Sequence, residues 1–91
     1  MWLVQLGIKK PMDQINPKWF EEHENRNQQL RAKGVILASG PFVDGSGGCI
    51  VYNCSQEEFM SIIQADPLVI HDVVDYDYKD WNAALSAKIQ S

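Results

Sequence analysis

Two histidines and a set of scattered carboxylates carry most of the chemical capacity of this 91-residue chain. His23 lies in a segment that reads as a helix. At about 100° per residue, Trp19, Leu30, His23, Asn27 and Phe20 fall within one angular sector, so His23 belongs to the inward stripe. From helical position alone, a buried imidazole is more often a structural residue bonded to a backbone carbonyl than a catalytic one. A carboxylate bonded to one ring nitrogen changes that balance. It fixes the tautomer and raises basicity at the other nitrogen, which suits a general base near neutral pH. Asp66 is the carboxylate that topology can bring to His23, and the two would form a dyad for proton transfer. Taken locally, Asp66-Pro67 is a helix terminator bonded to nearby loop amides, and Asp44 is the polar residue of an Asp-Gly turn. His71, followed by Asp72 at the start of a strand, is expected to face solvent.

Other chemistries fit less well. A metal site from His23, His71, Asp44 and Asp66 is disfavoured, because no two histidines share ligand spacing on one element. The glycine-dense stretch from Gly40 to Gly48 lacks a phosphate-loop pattern and leads into a strand, not a helix. Cys49 and Cys54 are five apart; on an extended strand they point to opposite faces about 16 Å from each other and cannot bond. They read as inert thiols beside the third strand, in a reducing compartment. Trp2, Trp19 and Trp81 read as core and interface residues. No metal or cofactor is implied.

The elements that must position these groups follow from period and punctuation. Trp2, Val4, Leu6 and Ile8 alternate with Leu3, Gln5, Gly7 and Lys9, which predicts a first strand over 2–9. Asn16-Pro17 is an N-cap followed by a first-turn proline, opening a helix that runs to about Lys33 and stops at Gly34. Val35 to Ser39 is a second strand, Gly40 to Gly48 a loop, and Cys49 to Asn53 a third strand. Ser55 to Glu58 is a capping box opening a helix to about Ala65, which Asp66-Pro67 closes. Val73 to Lys79 is a fourth strand, and residues 82–91 are expected to add a short helix to a core of 1–81. The whole forms one domain spanning 1–91.

The order βαββαβ predicts a ferredoxin-like α+β sandwich: a four-stranded antiparallel sheet with two helices on one face. The helices run antiparallel, so the start of the first and the end of the second share one end of the sheet. His23, Asp66, Lys9-Lys10, the Gly40–Gly48 loop and His71 are therefore expected on one rim. The other sheet face is left uncovered although the second and third strands are apolar on both sides, so a homodimer packed through that face is expected. Gln5, Asp75 or Asp77 would let such a face line a cavity as readily as a dry interface.

Composition narrows the partners. With 45% hydrophobic residues, 22% charged and no low-complexity tract, the chain should fold. A net charge of −4 with scattered basic residues argues against nucleic acid. No apolar run approaches the roughly 18–20 residues of a membrane span, and residues 1–8 lack signal-peptide features. A soluble, cytoplasmic protein with no membrane partner is expected.

Several motifs together resemble the YCII-related family, also called the DGPF-domain family, of the dimeric α+β barrel superfamily. They are an opening strand ending in Lys9-Lys10-Pro11; His23 followed by Leu30 and Gly34; Gly40-Pro41-Phe42 with Asp44 and Gly47-Gly48; and Asp66-Pro67 before a strand closing at Trp81. The resemblance covers Met1 to Trp81. It implies a homodimer with facing sheets and a pocket where a paired histidine and aspartate meet, here His23 and Asp66. Ser39, Gly40, Pro41, Phe42, Asp44 and His71 would line the substrate side. One branch of the family resembles a dehydrochlorinase acting on a chlorinated hydroxyhydroquinone, and the superfamily includes muconolactone isomerases and monooxygenases. The implied activity is cofactor-independent proton transfer on a small oxygenated cyclic compound, of lyase or isomerase type. A non-catalytic metabolite-binding or regulatory accessory module of the same dimeric fold is the alternative. Two departures alter the rim. Ser39 stands where the motif has its aspartate, and Leu68 to Asp72 reads Leu-Val-Ile-His-Asp where the family has an aromatic start and a glycine near the end. The substrate of a characterised relative therefore does not transfer.

Overall fold

The computed structural model describes residues 1–85. Its elements are β1 (Trp2–Ile8), a single 3₁₀ turn (Met12–Gln14), α1 (Pro17–Ala32), β2 (Ile36–Pro41), β3 (Gly47–Tyr52), α2 (Gln56–Gln64), α3 (Pro67–Ile70) and β4 (Val74–Asp80). The strands form one sheet in the order β2-β3-β1-β4, with every neighbouring pair antiparallel. This is the expected ferredoxin-like α+β arrangement, with a third short helix in addition. Residues 82–85 carry no regular secondary structure. The remainder of the helix expected over 82–91 lies outside the described residues.

Local chemistry explains the helix starts. The side chain of Asn16 accepts from Lys18 N at 3.0 Å, with Pro17 in the first turn. Ser55 Oγ accepts from Glu58 N at 3.1 Å, one half of the capping box. Gly34, at φ 77°, takes the left-handed position that ends α1, and its N–H returns to Arg31 O.

Strand period decides the layers. In register, Val4 lies opposite Ile50 and Tyr78, Leu6 opposite Gly48 and Tyr76, and Trp2 opposite Tyr52. These residues form the face covered by the helices, where Val4, Leu6, Ile50 and Tyr52 are buried with Phe59 and Ile63 of α2 and Leu68 of α3. Leu3, Gln5 and Gly7 alternate onto the other face, beside Val51, Cys49, Asp77 and Lys79. No helix among the described residues is long and apolar enough to cross a membrane.

Local structure departs from the sequence expectation at several points. Gly40 and Pro41 continue β2, pairing with Cys49 and Gly48, because β3 begins at Gly47 and offers them partners. Asp66-Pro67 closes α2 but also opens α3, a single turn too short to show a helical period. The register of β2 shifts between Ile36, opposite Tyr52, and Ala38, opposite Val51. That bulge turns Ser39, opposite Ile50, toward the helices, where unbroken alternation from Ile36 would turn it away.

Phe59 is the centre of the aromatic core. It is fully buried, with ring centroids 5.1 Å from Trp2, 5.7 Å from Tyr52 and 5.0 Å from Tyr78. Phe59→Ala should therefore lower unfolding free energy by about 3–5 kcal/mol, read from the shift of a urea or thermal transition. A loss below about 1 kcal/mol would contradict this packing.

Candidate active site

His23 and Asp66 meet. Asp66 ends α2 and caps α3: its Oδ1 accepts from Leu68 N at 2.8 Å. That bond fixes the carboxylate and aims Oδ2 at α1, where His23 Nδ1 lies 2.6 Å away. The terminator role and the pairing with histidine thus coexist, one oxygen serving each. Arg26, one turn further along α1, holds its Nη1 3.6 Å from the same Oδ2 and donates from Nη2 to Ile62 O at 3.2 Å. Asp66 is only 2% exposed, and its neighbours are what make a buried carboxylate tolerable.

The second ring nitrogen of His23 also has a partner. Asn27 Nδ2 lies 3.1 Å from Nε2, and Asn27 is the one wholly buried residue of α1. The i, i+4 spacing puts both side chains on one helix face. Sequence reasoning placed Asn27 in the inward stripe without giving it a role. A buried amide four residues from a candidate base was the available signal.

A cavity of about 450 Å³ opens beside the histidine. Phe20, His23, Glu24 and Asn27 of α1 form one wall. Leu6 and Ile8 of β1, Ile50 of β3, Val74 of β4 and Leu68 of α3 form the apolar remainder, with Met12 at the edge. Gly40, Pro41, Gly45, Gly47, Gly48 and Cys49 complete the lining. Gly48 stands in the row that Ile50 and Tyr52 continue, where a Cβ would lie 2.7 Å from Gly40 O, so the glycine permits the close approach of β2 and β3 beside the cavity.

The remaining sequence candidates are distributed around this cavity. Gly40 and Pro41 line it, whereas Ser39, Phe42, Asp44 and His71 do not. Ser39 accepts from Arg31 Nη1 at 2.5 Å, and Arg31 Nη2 donates to Glu24 at 2.5 Å, so a guanidinium fork ties β2 to a cavity-lining carboxylate. No local pattern signals this link, which depends on the bulge. Asp44 Oδ1 accepts from Ser46 N at 2.9 Å; hydrogen bonds from Ser46 hold its carboxyl below the usual carboxylate range. Phe42 is 38% exposed. His71, at the end of α3, is exposed but stacks on Trp19 with centroids 4.0 Å apart and planes 7° from parallel. Lys9 pairs with both Asp72 and Asp75, fastening the exit of β1 to the start of β4. Those two carboxylates raise its ammonium above the ordinary lysine value.

Among the described residues no cluster of three or more His, Cys, Asp or Glu side chains could hold a metal. Both cysteines are free thiols, pushed up by burial. Tyr52, wholly buried, has its phenol pushed up first by burial and then by the charge of Asp66.

Fold and site together define a ferredoxin-like α+β protein with a part-buried imidazole bonded to a buried carboxylate at the wall of an apolar cavity. The chain belongs to the YCII-related family, whose domain matches residues 1–82. Among solved structures it is similar to the 5-chloro-2-hydroxyhydroquinone dehydrochlorinase of Burkholderia phenoliruptrix AC1100, in complex with 2,5-dihydroxybenzoquinone. That likeness has a TM-score of 0.73 at 18% identity and covers 92% of this chain and 96% of that one. No curated protein matches the chain in sequence.

The glycines beside the cavity give a direct test of its construction. A Cβ on Gly47 would stand 1.7 Å from Leu6 O, whereas one on Gly40 meets nothing within 4 Å. Gly47→Ala should cost at least about 1–3 kcal/mol through forced backbone movement, while Gly40→Ala should stay within about 0.5 kcal/mol of wild type. Denaturant midpoints of the two variants compare them, and equal stability would refute the close approach at β1.

Proposed function

We propose that the protein is a small-molecule enzyme of the cofactor-independent lyase or isomerase type, in which His23 removes an acidic C–H or O–H proton from a small oxygenated cyclic compound. The observation that carries this reading is the 2.6 Å contact of His23 Nδ1 with a buried Asp66, on a ring that also lines the cavity. Asp66 would orient the ring and stabilise the imidazolium formed on proton transfer. The lining suits an apolar ring, with polar side chains on the α1 wall to orient it. Gly40 and Pro41 would touch the ligand; Ser39, through Arg31 and Glu24, would act from behind the wall. Phe42, Asp44 and His71 would shape the rim.

The similarity to a dehydrochlorinase bound to a dihydroxybenzoquinone supports a cyclic, oxygen-rich ligand and supplies a first probe. With 2,5-dihydroxybenzoquinone as the binding probe and a panel of hydroxylated ring compounds as substrates, His23→Asn and Asp66→Asn should each reduce kcat/KM by about 10²–10⁴-fold. Unchanged turnover in both variants would remove the pair from the mechanism.

A second reading, a metabolite-binding or accessory module, draws on the fact that both ring nitrogens of His23 already have protein partners, as in a structural histidine. On that reading the probe binds without turnover, and the two substitutions lower the melting temperature while leaving affinity intact.

We further propose that the working form is a homodimer packed through the open sheet face, where Leu3, Val51 and Cys49 stand among Gln5, Asp77 and Lys79. Sedimentation should give twice the monomer mass, and Val51→Arg should give the monomer. A monomeric wild type at the concentration of the activity assay would remove the dimer from the reading.

A further inference from the structure

We propose that Asn27 is a positioning residue for His23: its amide N–H donates to Nε2 and fixes the tautomer that carries its ring proton on Nδ1. The functional meaning rests on the proposed role of His23 as base; the structural claim does not. The argument starts at Asp66. Its Oδ1 accepts from Leu68 N at 2.8 Å, and Arg26 Nη1 stands 3.6 Å from Oδ2, so the carboxylate is surrounded as an acceptor. The 2.6 Å partner on Oδ2, His23 Nδ1, is then the donor. In a neutral imidazole the other nitrogen must accept, and Asn27 Nδ2, 3.1 Å away, supplies the N–H. The reverse orientation, with the amide oxygen against Nε2, would require a charged ring.

Burial gives the arrangement its weight. Asn27 is 2% exposed on a helix whose Trp19, Phe20 and Leu30 are only half-buried. An apolar side chain in that place would fill the wall; an amide there is tolerated because it is bonded. The remaining charged groups facing the ring do not reverse the order. Glu24, on the same wall, is paired with Arg31, and His71 stacks on Trp19 outside the lining. Cys49 lines the cavity from β3 while its side chain alternates onto the other sheet face, away from the ring.

The consequence is a base kept ready. The Nε2 lone pair is held by a donor that itself lines the cavity, and an acidic substrate proton takes the place of the Asn27 N–H. The displaced amide then stands beside the substrate oxygen that gains charge, and can donate to it.

The test reads the ring nitrogens of His23 directly, by ¹⁵N NMR of the full-length chain at neutral pH, with the resonances assigned by their loss in His23→Asn. Wild type should show a proton on Nδ1 and none on Nε2. Asn27→Asp, which replaces the donor by a carboxylate, should show both nitrogens protonated at the same pH. A proton on Nε2 in wild type, or a ring that stays neutral in a folded Asn27→Asp, would overturn the assignment. If Asn27→Asp does not fold, the wild-type spectrum alone decides. No substrate is present, so a failure here leaves the turnover test of His23 standing, and a failure of that test leaves the tautomer standing.

Discussion

A carboxylate removed from water must be met by donors, and Asp66 is the point at which this chain satisfies that requirement. Burying an unpaired charge costs several kcal/mol even after relaxation, enough to cancel much of the stability of a small domain. Asp66 meets the demand with hydrogen bonds to the Leu68 amide and the His23 ring and with the charge of the Arg26 guanidinium, 3.6 Å away. Those partners come from two places, the first turn of α3 and the middle of α1, so satisfying the charge also docks α1 against the α2–α3 corner. The same corner is held from outside by the Trp19–His71 stack and by Lys10 Nζ donating to His71 O at 3.2 Å.

The cavity is the other side of this arrangement. A helix that covered the sheet with a continuous apolar stripe would sink onto it and exclude space. α1 instead presents His23, Arg26 and Asn27 along the stripe that reaches α3, and Asn27 is its one fully buried residue. The helix is fixed by hydrogen bonds at this end, with Trp19, Phe20 and Leu30 only half-buried around them. Below it, Gly47 and Gly48 let neighbouring backbones close in, since a Cβ on the first would meet Leu6 O and one on the second Gly40 O. Polar docking above and bare glycine backbone below border a hollow in a chain whose α2 side is packed by Phe59 and Ile63.

How much of this was legible depended on the range of the signal. Strand alternation in Trp2 to Ile8, the Asn16-Pro17 start and the Ser55–Glu58 box are local, and each appears where local chemistry puts it. The approach of His23 to Asp66 was legible from topology, because antiparallel neighbouring helices bring the start of one beside the end of the other. The β2 bulge was not, since the extra residue shows only against the partner strand; Ser39 and its bond to Arg31 were hidden with it. Gly40-Pro41 carried so strong a turn signal that their pairing with β3 was missed, and α3 is shorter than one helical period can reveal.

Charge balance connects the site to the chemistry proposed for it. Asp66 is matched by Arg26 and Glu24 by Arg31, so the carboxylates around the histidine do not present a net negative field to the cavity. On the proposed reading, proton abstraction turns a neutral ring and a neutral ligand into an ion pair at contact distance. In an apolar cavity that attraction is several times stronger than in water, and a site whose other charges cancel does not oppose it. A surplus anion beside the imidazole would stabilise its charged form before any ligand arrived and leave no lone pair to accept a proton. Two guanidiniums set behind the wall, not within it, cancel the carboxylates while leaving the cavity without a fixed cation that would select an anionic ligand.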